Sequence, residues 1–556
     1  MTTDVIGPTS QVNPATNPEV TPEAGNIKAP KEAAAAKPAP SRDRNIYAVV
    51  DIAPETQAYA LARYSRSAAS LRESVGWISN QKAADFLETF YFAYGHKSIA
   101  DMAHITLALE NISVLAAVVI EDEPLWDGQE RSTRYQDFSK SRYVVPGELE
   151  SQPENRETFT AAADYLFATY NALTKELYGH LAEALPRPDD MDPAAYKRTL
   201  NARILDVTRT LLPYATRTSV GQITSARVLE RQLSRLLASP YQEIRAIASE
   251  MKEVCKQPGF SPLEIRLQAS LENLVAQHPE AAGPLKELAG VFSATEPAPT
   301  LVKYAEPSPQ QAQAAAGLSQ AARELLRGIE PDNSRTVHLV EGTPPLLEAV
   351  TTLLYRYSDL AYHQVQAVVL ELSPAQVNEI YDLAHAARGR HDGWLREQQS
   401  GYGRIYDILI DAKSMQDFFR HRRCVQVRQE ITPRHGFVGG KEWFELGLPA
   451  QTVASALDGG QVERYDRTMR ETAQVVSRLE AEAAHYLLPL GFKRRALFKM
   501  DDAQAAYMIE TRSGVNGHFA YRQAAYQMWQ ELERVQPEVA RWVRVTPFEQ
   551  SDFLNR

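Results

Sequence analysis

Apolar side chains recur at helical spacing along most of this chain, broken in a few places by prolines and glycines. Helical periodicity runs through Gln57–Arg72 and again over Asn80–Tyr94, with Gly95 placed as a C-cap. The period then drops to two. Ile105, Leu107 and Leu109 alternate across Ala103–Glu110, which predicts a strand, and Asn111–Ile120 returns to helix. Long helices are expected over Arg156–Leu185, over Ala194–Leu212 (stopped by Pro213) and over Ala226–Cys255. Residues 1–44 are rich in Pro, Ala, Thr and Glu and carry too little apolar surface to offset ordering, so they read as a disordered tail. Residues 278–335 read as a linker with a helical insert at Gln311–Leu326, followed by a second ordered block.

The two blocks resemble each other. Gln129-Glu130-Arg131-Ser132-Thr133-Arg134-Tyr135 is echoed, at an offset of 300, by Gln429-Glu430-Ile431-Thr432-Pro433-Arg434-His435. Each copy offers a carboxylate, a hydroxyl and a guanidinium, a set suited to a ligand with an anionic head and a hydrogen-bonding ring. Arg63-Tyr64-Ser65 returns as Arg356-Tyr357-Ser358, Leu211-Leu212-Pro213 as Leu487-Leu488-Pro489, and Arg235 and Arg245 as Arg512 and Arg522. The landmarks keep their order while the offsets drift, as in an internal duplication with loop-sized insertions. One spot has diverged in charge. Arg420-His421-Arg422-Arg423 is cationic, whereas Ile120-Glu121-Asp122-Glu123 in the first block is acidic.

The 556 residues suffice for several domains, and 44% hydrophobic with 23% charged content is that of a globular protein. A net charge of −10 argues against general nucleic-acid binding but not against a local basic pocket. Two cysteines, Cys255 and Cys424, exclude a disulfide framework; Cys255 reads as buried, while Cys424 lies beside arginines that would lower its pKa. No metal site is expected, because His385, His391, His421 and His435 lack ligand spacing. Without a signal pattern or a long apolar run, the protein reads as cytoplasmic and free of membrane.

Gly95-His96-Lys97-Ser98 with Asp101, Glu130-Arg131-Ser132-Thr133-Arg134-Tyr135, Thr208-Arg209-Thr210-Leu211-Leu212-Pro213, and Ser225-Ala226-Arg227 with Arg235 together resemble the flavin-dependent thymidylate synthase family. Arg420-His421-Arg422 resembles that family's Arg-His-Arg signature. The resemblance implies an α+β fold of two tandem thymidylate-synthase-like domains, each a mixed sheet with long helices. Copy 1 would span 45–277 and copy 2 336–556, and the chain would form a homodimer that mimics the family's homotetramer. It also implies methylation of dUMP to dTMP with FAD as cofactor and methylenetetrahydrofolate and NADPH as co-substrates.

Carried over by position, Glu130, Ser132, Arg134 and Arg209, with Glu430, Thr432 and Arg434 in the second copy, would bind nucleotide. His96, Ser98, Ser225, Arg227, Arg420, His421 and Arg422 would hold FAD, and Arg235 and Arg512 would stabilise charge on the pyrimidine. The family's asparagine is replaced by Ser225, His485 stands where Arg209 stands in copy 1, and Asp501 and Ala503 replace Ser225 and Arg227. Neither half holds a complete set, so the implied site is composite. Two alternatives stay open: a related flavin or folate enzyme acting on another pyrimidine nucleotide, and a non-catalytic paralogue that binds nucleotide.

Overall fold

The computed structural model describes residues 52–62, 87–88, 97–133, 138, 142–291, 295–340, 345–387, 395–398, 403–541, 543–548 and 553–554. The expected tail and the expected Asn80–Tyr94 helix with its Gly95 cap lie largely or wholly outside them. No described helix is long and apolar enough to cross a membrane.

Helices dominate, arranged around two small sheets. Strands β1 (His104–Ser113), β2 (Asp127–Glu130) and β3 (Arg217–Ser225) form the first, in the order β1-β3-β2. Strands β4 (Val337–Val340), β5 (Arg404–Asp411), β6 (Val425–Arg428) and β7 (Lys493–Met500) form the second, in the order β4-β5-β7-β6. Every pair is antiparallel, so the mixed sheet expected from the sequence is not found among the described residues. The first sheet keeps one wet face, visible in the alternation of buried and exposed residues along β1 from His104 to Glu110, whereas β5 and β7 are buried almost throughout.

In each sheet a strand runs directly into a helix whose N-terminus it caps. Ser113 closes β1 and accepts from Ala116 N at 2.9 Å to start the helix Val114–Ile120; Asp411 closes β5 and accepts from Ser414 N at 2.8 Å to start Ala412–Phe419. Ser225 and Asp501 cap Ala226–Leu237 and Asp502–Ser513 in the same way. The helix expected from Asn111 therefore begins later. Asn111 sits in a bulge of β1 at φ 61°, a conformation asparagine tolerates better than most residues, and the strand continues to Ser113. The expected Ala226–Cys255 helix is likewise two, Ala226–Leu237 and Gln242–Val254, because Pro240 interrupts the hydrogen-bond ladder between them.

The two sheet units meet through paired strand-end loops. Tyr214 N donates to Leu488 O at 3.0 Å and Leu490 N to Leu212 O at 2.9 Å; Ala215 N donates to Tyr486 O at 2.7 Å and Gly491 N to Thr210 O at 2.8 Å. Each bond maps onto its counterpart by a shift of 276 residues, the offset between the two Leu-Leu-Pro sequences. Around this seam lies one shared core, in which Phe159, Tyr170, Leu173 and Leu177 from the helix Pro153–Ala184 join Trp443, Tyr465, Met469 and Leu488. Thr169 meets Thr468 at 3.3 Å, and Arg464 reaches Glu176 at 2.8 Å. The helix Pro309–Leu325, within the expected linker, packs through Ala314, Leu318 and Ala322 against Val350, Leu353 and Val365.

Candidate functional site

The loop after Val114–Ile120 and the loop after Ala412–Phe419 occupy corresponding places. Val114 N bonds Thr216 O and Ala412 N bonds Phe492 O, fixing an offset of 298 here. The same offset holds in the edge strands. Glu130 pairs with Val220 and Arg428 with Ala496, while Arg131 N bonds Ser219 O and Gln429 N bonds Arg495 O. The structural counterpart of Glu130 is thus Arg428, not Glu430. The offset of 300 read between the two motifs is not that of the strands, and beyond them the bridges Tyr143–Thr216 and Phe437–Phe492 give 294.

Glu130 ends β2 almost fully buried, and among the described residues its Oε1 has no hydrogen-bond partner. Arg209, which starts a short 3-10 turn, is also buried and lies 3.4 Å from Asp206. Both act electrostatically on Lys413 of the second half, as do Asp417 and Arg420, and burial pushes the Lys413 ammonium below its ordinary range. Glu121 belongs to the same neighbourhood: burial first, then Glu130, push its carboxyl up to about 7 against the pull of Arg422 and Arg420. A buried cation and a carboxylate with a free oxygen, held among arginines, make a place for a polar anionic ligand. Lys413 itself escaped the reading of the sequence. The available signal was a lysine in the first turn of a helix, where the helix dipole disfavours positive charge.

The Arg-His-Arg run divides into three environments. Arg420 caps its helix, half-exposed, with Asp417 at 3.7 Å. His421 is buried and accepts from Arg512 Nε at 2.8 Å; burial and then the Arg512 charge lower it to about 3, so it stays neutral. Arg422 lies 4.4 Å over the Trp126 ring and 3.8 Å from Glu121. Half 1 thus supplies an aromatic platform and half 2 the guanidinium. Burial pushes the Cys424 thiol up to about 12, outweighing the lowering pull of Arg428, opposite to the expected lowering. Cys255 is buried, as expected.

Other expected site residues are spread more widely. Arg235 bonds Glu123 at 2.9 Å and Val119 O at 3.0 Å, and Arg512, besides His421, approaches Asp417 at 3.8 Å. Ser225 is a helix cap, and Arg227 pairs with Asp101 at 2.6 Å in the open. Glu430 is exposed, and Thr432 caps Arg434 N at 3.2 Å. Arg434 pairs with Asp359 and with Glu330 at 3.4 Å. His485, at the position of Arg209, meets Tyr241 Oη at 2.8 Å through Nδ1, and burial lowers it to about 4. Ser132 follows β2 on a partly buried stretch. His96 and Arg134 lie outside the described residues, as does the Ser98 side chain.

Residues 48–258 match the family model described as thymidylate synthase complementing protein. Over nearly its whole length the chain is similar to the UPF0159 protein of Chlamydia muridarum, at 24% identity over 92% of this chain and 94% of the relative. A UPF0159 protein of Thermoplasma acidophilum is 22% identical over 86% of this chain and 93% of its own. The flavin-dependent thymidylate synthase of Mycobacterium marinum is 32% identical, over 23% of this chain and 46% of that protein. Among solved structures, flavin-dependent thymidylate synthase ThyX from Helicobacter pylori, complexed with FAD and dUMP, matches 36% of this chain and 89% of its own, at 12% identity and a TM-score of 0.21. Over residues 48–258, which contain Glu130, Arg209 and Arg235, the chain is similar to the flavin-dependent thymidylate synthase family.

Proposed function

We propose that this protein is an FAD-dependent thymidylate synthase, converting dUMP to dTMP with methylenetetrahydrofolate and NADPH, and that its site is assembled from two tandem copies spanning 45–277 and 336–556. The observation that carries the reading is the meeting of Glu130 and Arg209 from the first half with Lys413 and Arg420 from the second, around a buried carboxylate oxygen without a partner among the described residues. The matched backbone bonds at the seam support the duplication. A chain with both copies would need only a second chain to reproduce a fourfold assembly, so a homodimer follows from the same reading.

The donor set suits FAD at one interface. Arg420 and Arg422 offer guanidiniums to a diphosphate, and neutral His421 offers a ring edge; the corresponding Asp122-Glu123-Pro124 would repel it. Bound there, FAD supplies the hydride chemistry. Glu130 would accept from the pyrimidine ring or the ribose, Arg209 and Lys413 would hold the nucleotide's anionic groups, and Ser132 and Arg134 would complete the phosphate contacts. Burial of Glu130, Arg209 and Lys413 excludes competing water and strengthens each polar contact.

The visible absorption spectrum of the purified, dialysed protein, with and without added FAD and dUMP, tests this. A bound flavin whose spectrum shifts with dUMP is the expected result. A colourless protein that ignores FAD but binds dUMP would favour a non-catalytic nucleotide-binding relative, which the acidic residues at the first copy's Arg-His-Arg position also suit.

A further inference from the structure

The duplicated architecture brings two equivalent interfaces together in one chain, and they have opposite charge arrangements. At one, a carboxylate on the edge strand (Glu130) faces the loop that carries Arg420; at the other, an arginine on the edge strand (Arg428) faces the loop that carries Asp122. Strand register equates Glu130 with Arg428, and the loop offset equates Asp122 with Arg420.

The two interfaces differ in what their charges do. At the first, Glu130 Oε1 has no partner among the described residues, and Arg420 is 46% exposed with Asp417 at 3.7 Å. At the second, Arg428 Nε lies 3.3 Å from Asp122 Oδ1, and its Nη1 and Nη2 donate to Val118 O at 3.2 Å and Gln426 Oε1 at 3.1 Å. The guanidinium also sits 3.8 Å from the Phe419 ring centroid. Arg396 adds a second cation, donating through Nη1 to the Asp122 carboxylate and through Nη2 to Asp122 O at 3.1 Å. Two further groups of this interface are paired as well. His485, in the place of Arg209, is tied to Tyr241 of the first half, and Arg434 is tied to Asp359. Arg428, His485 and Arg434 are thus each paired within the chain.

We propose that ligand binding is confined to the Glu130 interface, and that the Arg428 interface is a locked former site in which Asp122 serves as a permanent internal counter-ion clamping the two halves. The nucleotide stoichiometry rests on the function proposed above; the lock rests on geometry alone. A lost site of this kind frees one half to specialise in cradling cofactor, while the other keeps the substrate contacts.

Two measurements on the full chain test the inference separately. Calorimetric titration with dUMP is expected to give one site per chain, and two would overturn the confinement. No binding at all would overturn the nucleotide reading, leaving the lock to the second measurement, thermal unfolding of the near-isosteric variants Asp122→Asn and Glu130→Gln. Asp122→Asn is expected to lower the unfolding midpoint by several degrees, or to prevent folding, because it strands two buried guanidiniums; Glu130→Gln is expected to hold or raise it. Equal shifts in the two variants, or a larger loss from Glu130→Gln, would overturn the lock.

Discussion

Buried charge is the most informative property of single residues in this protein. Lys413 is 7% exposed and bonded to Gln416, a costly placement for an ammonium group. Lys413→Met should therefore leave the unfolding midpoint unchanged or higher while weakening dUMP binding by about tenfold or more, the scale of a lost hydrogen bond to a charged group. Thermal scans and a titration of the same preparation would check both halves of that expectation. Glu121 makes a pH prediction. Its folded carboxyl titrates near 7, above its ordinary value, so it contributes stability fully at low pH and loses it as pH rises through about 7. The unfolding midpoint should fall as pH rises from about 4.5 to about 7 and level off above, and Glu121→Gln should flatten that slope; a slope unchanged in the variant would remove Glu121 as its source.

Among the elements, the recurring device is a strand that hands over to a capped helix. The caps differ in chemistry, Ser113 and Ser225 in one half against Asp411 and Asp501 in the other, yet occupy matching places. Asp501→Ala removes the acceptor for Gln504 N at 2.7 Å and should cost about 1 kcal/mol in denaturant unfolding, the usual value of an N-cap. These caps were legible in outline, since Ser and Asp ahead of apolar runs signal helix starts. The bulge at Asn111 was not, because its extra residue makes sense only against the partner strand β3.

At the scale of the whole molecule, each half has a core cluster of its own, and a further large cluster joins the two. Leu173 is fully buried in the cluster they share, so Leu173→Ala should cost about 2–5 kcal/mol and lower a single cooperative transition rather than split it. Calorimetry of the variant would show this directly. For the same reason residues 45–277 expressed alone should lack a cooperative melt, since Leu212 and Tyr214 would lose Leu488 and their other partners across the seam.

The sequence by itself determined the local periods and several helix limits of the first half, and pointed to an internal repeat, because these depend on spacing within one segment. It also pointed to Glu130, Arg209 and the Arg-His-Arg run, whose residue types suit a phosphorylated ligand. Only the tertiary structure decided which charges meet. Arg396 and Asp122 are far apart in the chain yet paired in space, and Lys413 gains meaning only beside Glu130. Strand register likewise decided that Glu130 corresponds to Arg428, a relation that matching short motifs had shifted by two residues. Such pairings are set by packing across the seam, where burial makes an unpaired charge costly and a paired one permanent.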